Sequence, residues 1–82
     1  MKKNDFKDKV ILITGSSRGI GLAVAREFAR RGAKIILNAR NKERLGKALK
    51  SLKDDGYDAI AIQADVTSAD ACRKMIEQAV VS

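Results

Sequence analysis

With 82 residues the chain makes one small domain at most, and it has one cysteine, no histidine and no proline. A lone thiol excludes an internal disulfide, and without histidine a metal site lacks an adequate ligand set, so no metal is expected. The net charge of +7 invites a nucleic-acid partner, but the basic residues are scattered and only Phe6, Phe28 and Tyr57 offer rings for base stacking. No nucleic-acid partner is expected. The basic start leads into just four consecutive apolar residues, Val10 to Ile13. A secretory segment needs roughly 7–15 and a membrane span roughly 18. A cytoplasmic chain without a membrane partner is expected.

Val10–Thr14 is a run rich in β-branched residues, of the kind buried on both faces of a parallel sheet. Thr14-Gly15-Ser16-Ser17-Arg18-Gly19-Ile20-Gly21 then packs three glycines into a turn and opens a helix. From Gly19 to Arg31 the apolar positions Ile20, Val24 and Phe28 recur every four residues, beside Ala25 and Ala29. That stripe is expected to face the core, and Gly32 to close the helix. Ile35-Ile36-Leu37 reads as a second strand. Asn41 is placed to cap a helix bearing Leu45, Ala48, Leu49 and Leu52 on one face, closed by Gly56. Ala59-Ile60-Ala61-Ile62 is a third strand. Thr67-Ser68-Ala69-Asp70 has the form of a capping box, with Asp in place of Glu. It heads a helix whose expected apolar face is Cys72, Met75, Ile76, Ala79 and Val80.

The order β-α-β-α-β-α predicts a parallel sheet joined by right-handed crossovers. The fold class is therefore α/β, the N-terminal half of a Rossmann-type doubly wound parallel sheet lacking the later strands. In such sheets the first strand lies in the middle. Here its apolar edge is expected to lie open and to promote association. Residues 1–82 are thus expected to form a partial, truncated dinucleotide-binding domain.

A strand, a glycine-rich turn and a helix N-terminus together form an anion site, because unpaired N–H groups and the helix dipole face the ligand. Gly15 is expected to make the turn, Gly19 to allow close approach, and Gly21 to let the helix pack on the strand. Ser16 and Ser17 are expected to add hydroxyl donors, with Ile20 completing the loop. No Lys-Ser or Lys-Thr follows the second glycine, which excludes a P-loop. The second strand ends Leu37-Asn38-Ala39-Arg40, with no carboxylate before Glu43 to take a ribose 2′-hydroxyl. Arg40 and Arg18 would instead meet a 2′-phosphate, which selects NADP(H) as cofactor.

Taken together, Thr14-Gly15-Ser16-Ser17-Arg18-Gly19-Ile20-Gly21 resembles the T-G-x3-G-x-G motif of the short-chain dehydrogenase/reductase family. Asn38-Ala39-Arg40 and Asp65-Val66 fall where that family reads the ribose and the adenine. The resemblance implies that Asp65 hydrogen-bonds the adenine amino group and that Val66 packs on the ring. It runs from Lys7 to Val81 and is similar to the NADPH-dependent branch that includes 3-oxoacyl-[acyl-carrier-protein] reductases. It implies hydride transfer between NADPH and a carbonyl or alcohol, in a homo-oligomeric parent. The family's Asn-Asn-Ala-Gly motif, catalytic serine and Tyr-x-x-x-Lys have no counterpart here, since Tyr57 is followed four residues on by Ala61. No catalytic residue carries over, and the chain is expected to bind cofactor without turnover. The competing expectations are a non-catalytic nucleotide-binding or interaction module and, further off, a basic nucleic-acid-binding fragment.

Overall fold

Three large aliphatic residues in a row, Ile35, Ile36 and Leu37, are all buried, which a strand permits only when both faces of its sheet are covered. A computed structural model, which describes residues 5–81, shows how this is done. Strands β1 (Val10–Ile13), β2 (Lys34–Ala39) and β3 (Ala59–Gln63) alternate with helices α1 (Gly19–Arg30), α2 (Lys42–Asp54) and α3 (Ala69–Val81). The strands lie in the order β1-β2-β3, all parallel, with Ile11 opposite Ile35 and Ile36 opposite Ile60. This is the expected N-terminal half of a doubly wound sheet. Among the described residues β1 pairs with β2 alone, leaving its other edge open.

Side-chain alternation along the strands sorts the core into two layers. Ile35, Leu37, Ala39 and Ala59 face α1 and α2, where Ala25, Ala29, Leu45, Ala48 and Leu52 meet them. Ile36 and Ile62 face α3 and pack on Met75, with Cys72 and Ala79 alongside. Each fully buried Ile or Leu contributes about 1.5–3 kcal/mol. Phe6 closes the end of the first layer by meeting Phe28 edge to face at 4.8 Å.

Two expected helix faces need correction. Ile20 is 84% exposed and Val24 is also exposed, while the buried stripe of α1 is Ala25 and Ala29. A Cβ at Gly21 would stand 2.3 Å from the carbonyl oxygen of Gly15, so the first turn of α1 sits directly on the glycine turn, and further along Leu22 and Phe28 pack beside the two alanines. On α3, Met75 is buried but Ile76 and Val80 are 50% and 80% exposed. Among the described residues α3 alone covers that face of the sheet, and its far flank meets no second helix.

The caps divide the same way. The Asn41 side-chain oxygen accepts the Arg44 N–H at 3.0 Å, as its position suggested. In α3 the cap is Ser68, whose hydroxyl oxygen accepts the Ala71 N–H at 3.3 Å, because Thr67 is engaged elsewhere. No helix among the described residues is long and apolar enough to cross a membrane.

Two glycines predict opposite responses to alanine. Gly21→Ala should destabilise the chain by about 1–3 kcal/mol, since the clash is with backbone that cannot turn aside. Gly46→Ala, inside α2 with open space around it, should stabilise by about 0.5–1 kcal/mol. Urea denaturation of the two variants checks both signs.

Candidate functional site

Because the strands are parallel, the loops that follow them all emerge at one end of the sheet, and they enclose a cavity of about 600 Å³. The first wall is the glycine turn. Gly15 and Gly19 hold φ of +62° and +60°, backbone that side-chain-bearing residues rarely adopt. Arg18 precedes α1 in extended backbone, no side chain caps the helix, and its first turn carries no acid. Its first intrahelical bond runs from Leu22 N–H to the Arg18 carbonyl at 3.3 Å. The N–H groups before it are thus left for solvent or a ligand, at the positive end of the helix dipole. The other helices are capped by Asn41 and Ser68.

The second wall is the end of β2 and the start of α2. Arg40, Asn41 and Arg44 line it, and Gln63 Nε2 donates to the Arg40 carbonyl at 3.0 Å. The third wall is the loop after β3, with Asp65, Val66 and Thr67. Asp65 Oδ1 accepts both the N–H of Thr67 at 2.9 Å and its hydroxyl at 2.6 Å. Those two bonds, the hydroxyl first, hold the Asp65 carboxyl below its ordinary range, with a smaller contribution from the charge of Arg40. The Arg40 guanidinium stands 3.9 Å from Asp65 Oδ2, a solvent-exposed pair that contributes little by itself.

Of the residues singled out in the sequence, Gly15, Ser17, Arg18, Asn38, Arg40, Asp65 and Val66 come together around this cavity. Ser16 does not, and its expected place as a hydroxyl donor to a ligand needs correction. It is fully buried, donating its hydroxyl to the Asn38 carbonyl at 3.2 Å and accepting the Asn38 N–H at 2.9 Å. Asn38 reaches the lining, yet its amide is turned inward to the carbonyls of Ile62 and Ala64, at 3.0 and 3.3 Å. Gly19 supplies a positive φ, Gly21 lets α1 sit against Gly15, and Ile20 is exposed. Sequence reasoning missed Arg44 and Thr67 as lining residues. The Asp-x-Thr pattern at 65–67, which favours a local side-chain turn, was the available signal for Thr67.

The charge is sorted by partner. Arg26 pairs with Asp55, Arg30 and Arg31 with Glu27, and Lys50 with Asp54. The two arginines hold the Glu27 carboxyl down at about 2. Arg18 and Arg44 form no ion pair among the described residues, and both face the cavity. An uncapped helix start, three guanidiniums and one carboxylate suit a ligand bearing phosphate groups.

Open parallel sheets with this turn at the head of their first helix form a class of nucleotide-binding folds. The model of the short chain dehydrogenase family matches residues 9–82, and the chain belongs to that family of oxidoreductases, which bind nicotinamide dinucleotides. It is 44% identical over 80 residues to YxnA of Bacillus subtilis, described as an uncharacterized oxidoreductase, covering 98% of this chain and 22% of the relative. The citronellol catabolism dehydrogenase AtuB of Pseudomonas aeruginosa PAO1 superposes with a TM-score of 0.95 at 26% identity, over 99% of this chain and 34% of that one. A short chain dehydrogenase/reductase of Burkholderia phymatum, solved in complex with NAD, gives 0.88 at 28% identity, over 98% and 28%. The chain therefore spans about a quarter to a third of these proteins' length.

Thr67→Val should raise the Asp65 pKa toward its ordinary 3.8, because the largest lowering influence is lost. The sign for stability follows. The contact is at full strength above the ordinary pKa and is lost as pH falls through the lowered native value. A carbon-detected NMR titration of the Asp65 carboxyl in both proteins checks the direction.

Proposed function

We propose that the cavity holds the adenosine-phosphate half of NADP(H), within the partial dinucleotide-binding domain formed by residues 1–82 of a short-chain reductase. The observation that carries this reading is the wall at the end of β2. It presents Arg40 and Arg44 and no carboxylate, where an acid would be needed to bond a ribose 2′-hydroxyl. Gly15, Ser17 and Arg18 would take the pyrophosphate with the open first turn of α1. Arg40 would take the 2′-phosphate, assisted by Arg18, and Asp65 and Val66 would hold the adenine. When bound, the cofactor would supply redox chemistry, NADPH giving a hydride to a carbonyl or NADP⁺ taking one from an alcohol, as the parent reaction. The likeness of the glycine turn and of Asn38-Ala39-Arg40 to the branch that includes 3-oxoacyl-[acyl-carrier-protein] reductases supports the phosphorylated cofactor.

These residues bind rather than catalyse in this proposal. Tyr57 precedes β3 at the end of the sheet opposite the cavity, where its ring packs against the core. It has no lysine four residues on. Turnover of a carbonyl substrate by the purified 82-residue chain would overturn that part of the reading.

Charge-assisted hydrogen bonds contribute about 1.5–3 kcal/mol each, and every 1.4 kcal/mol is about tenfold in affinity. Arg40→Asp should therefore weaken NADP⁺ binding by about 10- to 100-fold while leaving NAD⁺ binding little changed. Calorimetric titration of both cofactors into both proteins is the measurement, and equal losses would overturn the phosphate assignment.

A further inference from the structure

β1 ends at Ile13, opposite Leu37, while β2 continues to Ala39. Beyond that point the backbone groups of Asn38 face a strand that has turned away into the glycine turn. Ser16 takes over both bonds. Its N–H donates to the Asn38 carbonyl at 2.8 Å, and its hydroxyl oxygen accepts the Asn38 N–H at 2.9 Å. On the other side, the Asn38 amide nitrogen donates to the carbonyls of Ile62 and Ala64 at 3.0 and 3.3 Å. Both partners are acceptors, so only the NH₂ can face them, and the orientation of the amide is fixed. Asn38 is 1% exposed and Ser16 is fully buried, and no buried side-chain polar atom among the described residues lacks a partner. One residue in the middle strand thus grips the glycine turn through its backbone. Through its side chain it grips the residue just before Asp65.

We infer that Asn38, with Ser16, is the positioning device of the cavity, holding the phosphate-binding turn and the Asp65–Val66 loop at a fixed separation. Neither side chain serves as a ligand in this role. The device sets the register between two walls that a single ligand must touch at once, and a displaced wall forfeits its charge-assisted hydrogen bonds to the ligand, about tenfold or more in affinity. The inference rests on the adenosine-phosphate reading above, and the test separates the two.

Two probes differ in how many walls they reach. Adenosine 2′,5′-bisphosphate carries the 5′-phosphate that the glycine turn would hold, as well as the adenine and the 2′-phosphate. Adenosine 2′-monophosphate lacks the 5′-phosphate and would reach the glycine turn only through Arg18, leaving the open N–H groups of the turn without a ligand. Asn38→Leu removes the amide at similar volume. Ser16→Ala removes one hydroxyl, keeps the Ser16 N–H bond, and serves if the first variant fails to fold. Affinities are measured by NMR titration well below each variant's melting temperature. Each variant should lose about tenfold or more in affinity for the bisphosphate, and clearly less for the monophosphate. Equal losses for the two probes, or lowered melting temperatures with both affinities intact, would overturn the positioning role. A wild-type chain that binds neither adenylate would overturn the adenosine-phosphate reading itself, and this inference with it.

Discussion

The first turn of α1 rests on the turn that precedes it so closely that position 21 has no space for a Cβ beside the Gly15 carbonyl oxygen. Much of the molecule follows from that contact. It holds the first turn of α1 against the glycine turn, and beneath the helix Ala25 and Ala29 are buried with Leu22 and Phe28 beside them, while Ile20 and Val24 lie exposed. It also aims the start of the helix at the space beyond the strand ends. A helix start buried without partners would be costly, because its N–H groups have no acceptor inside the helix. Here it borders an open cavity, where water or a ligand can supply the acceptors. The packing constraint and the candidate site are one feature.

A second constraint acts where the sheet runs out. β2 outlasts β1 by two residues, and buried backbone groups still need partners there. Ser16 supplies them through its hydroxyl and its N–H, while on the other side of β2 the exposed Arg40 carbonyl accepts from the Gln63 amide. Polar residues therefore gather at the same end of the sheet as the cavity for two separate reasons. Some complete the ladder, and some face the open space. Ser16 and Ser17, adjacent in sequence, fall on opposite sides of that division.

This is why the fold was more legible than the site. The three apolar runs needed only strand periodicity, and α2 declared itself through Leu45, Ala48, Leu49 and Leu52 with Asn41 at its head. In α1 the every-fourth spacing suggested one stripe of Ile20, Val24 and Phe28, but of these only Phe28 reaches the core, beside Leu22, Ala25 and Ala29. Thr67 matched a capping pattern but was drawn to Asp65 by a bond available two residues away, leaving the cap to Ser68. Ser16 looked like a ligand donor because a hydroxyl in a glycine turn carries no sign of which way it will face. That depends on where β1 leaves β2, a tertiary fact.

Charge makes the same point at larger scale. A net +7 does not say whether a surface is basic, because what matters is which cations already have partners. On α1, Glu27 engages Arg30 and Arg31, and Arg26 reaches across to Asp55 at the end of α2. Those three arginines hold helices together or are neutralised where they stand. Arg18 and Arg44 have no such partner among the described residues, and Arg40 has only an exposed one at 3.9 Å. Exposed pairs of that kind are weak enough for a more highly charged group to displace. The arginines without a close acidic partner among the described residues thus meet at the mouth of one cavity, beside a helix start that adds positive potential. The proposed preference for a doubly phosphorylated adenosine draws on this local cluster, and the same residues scattered over the surface would give the same net charge without it.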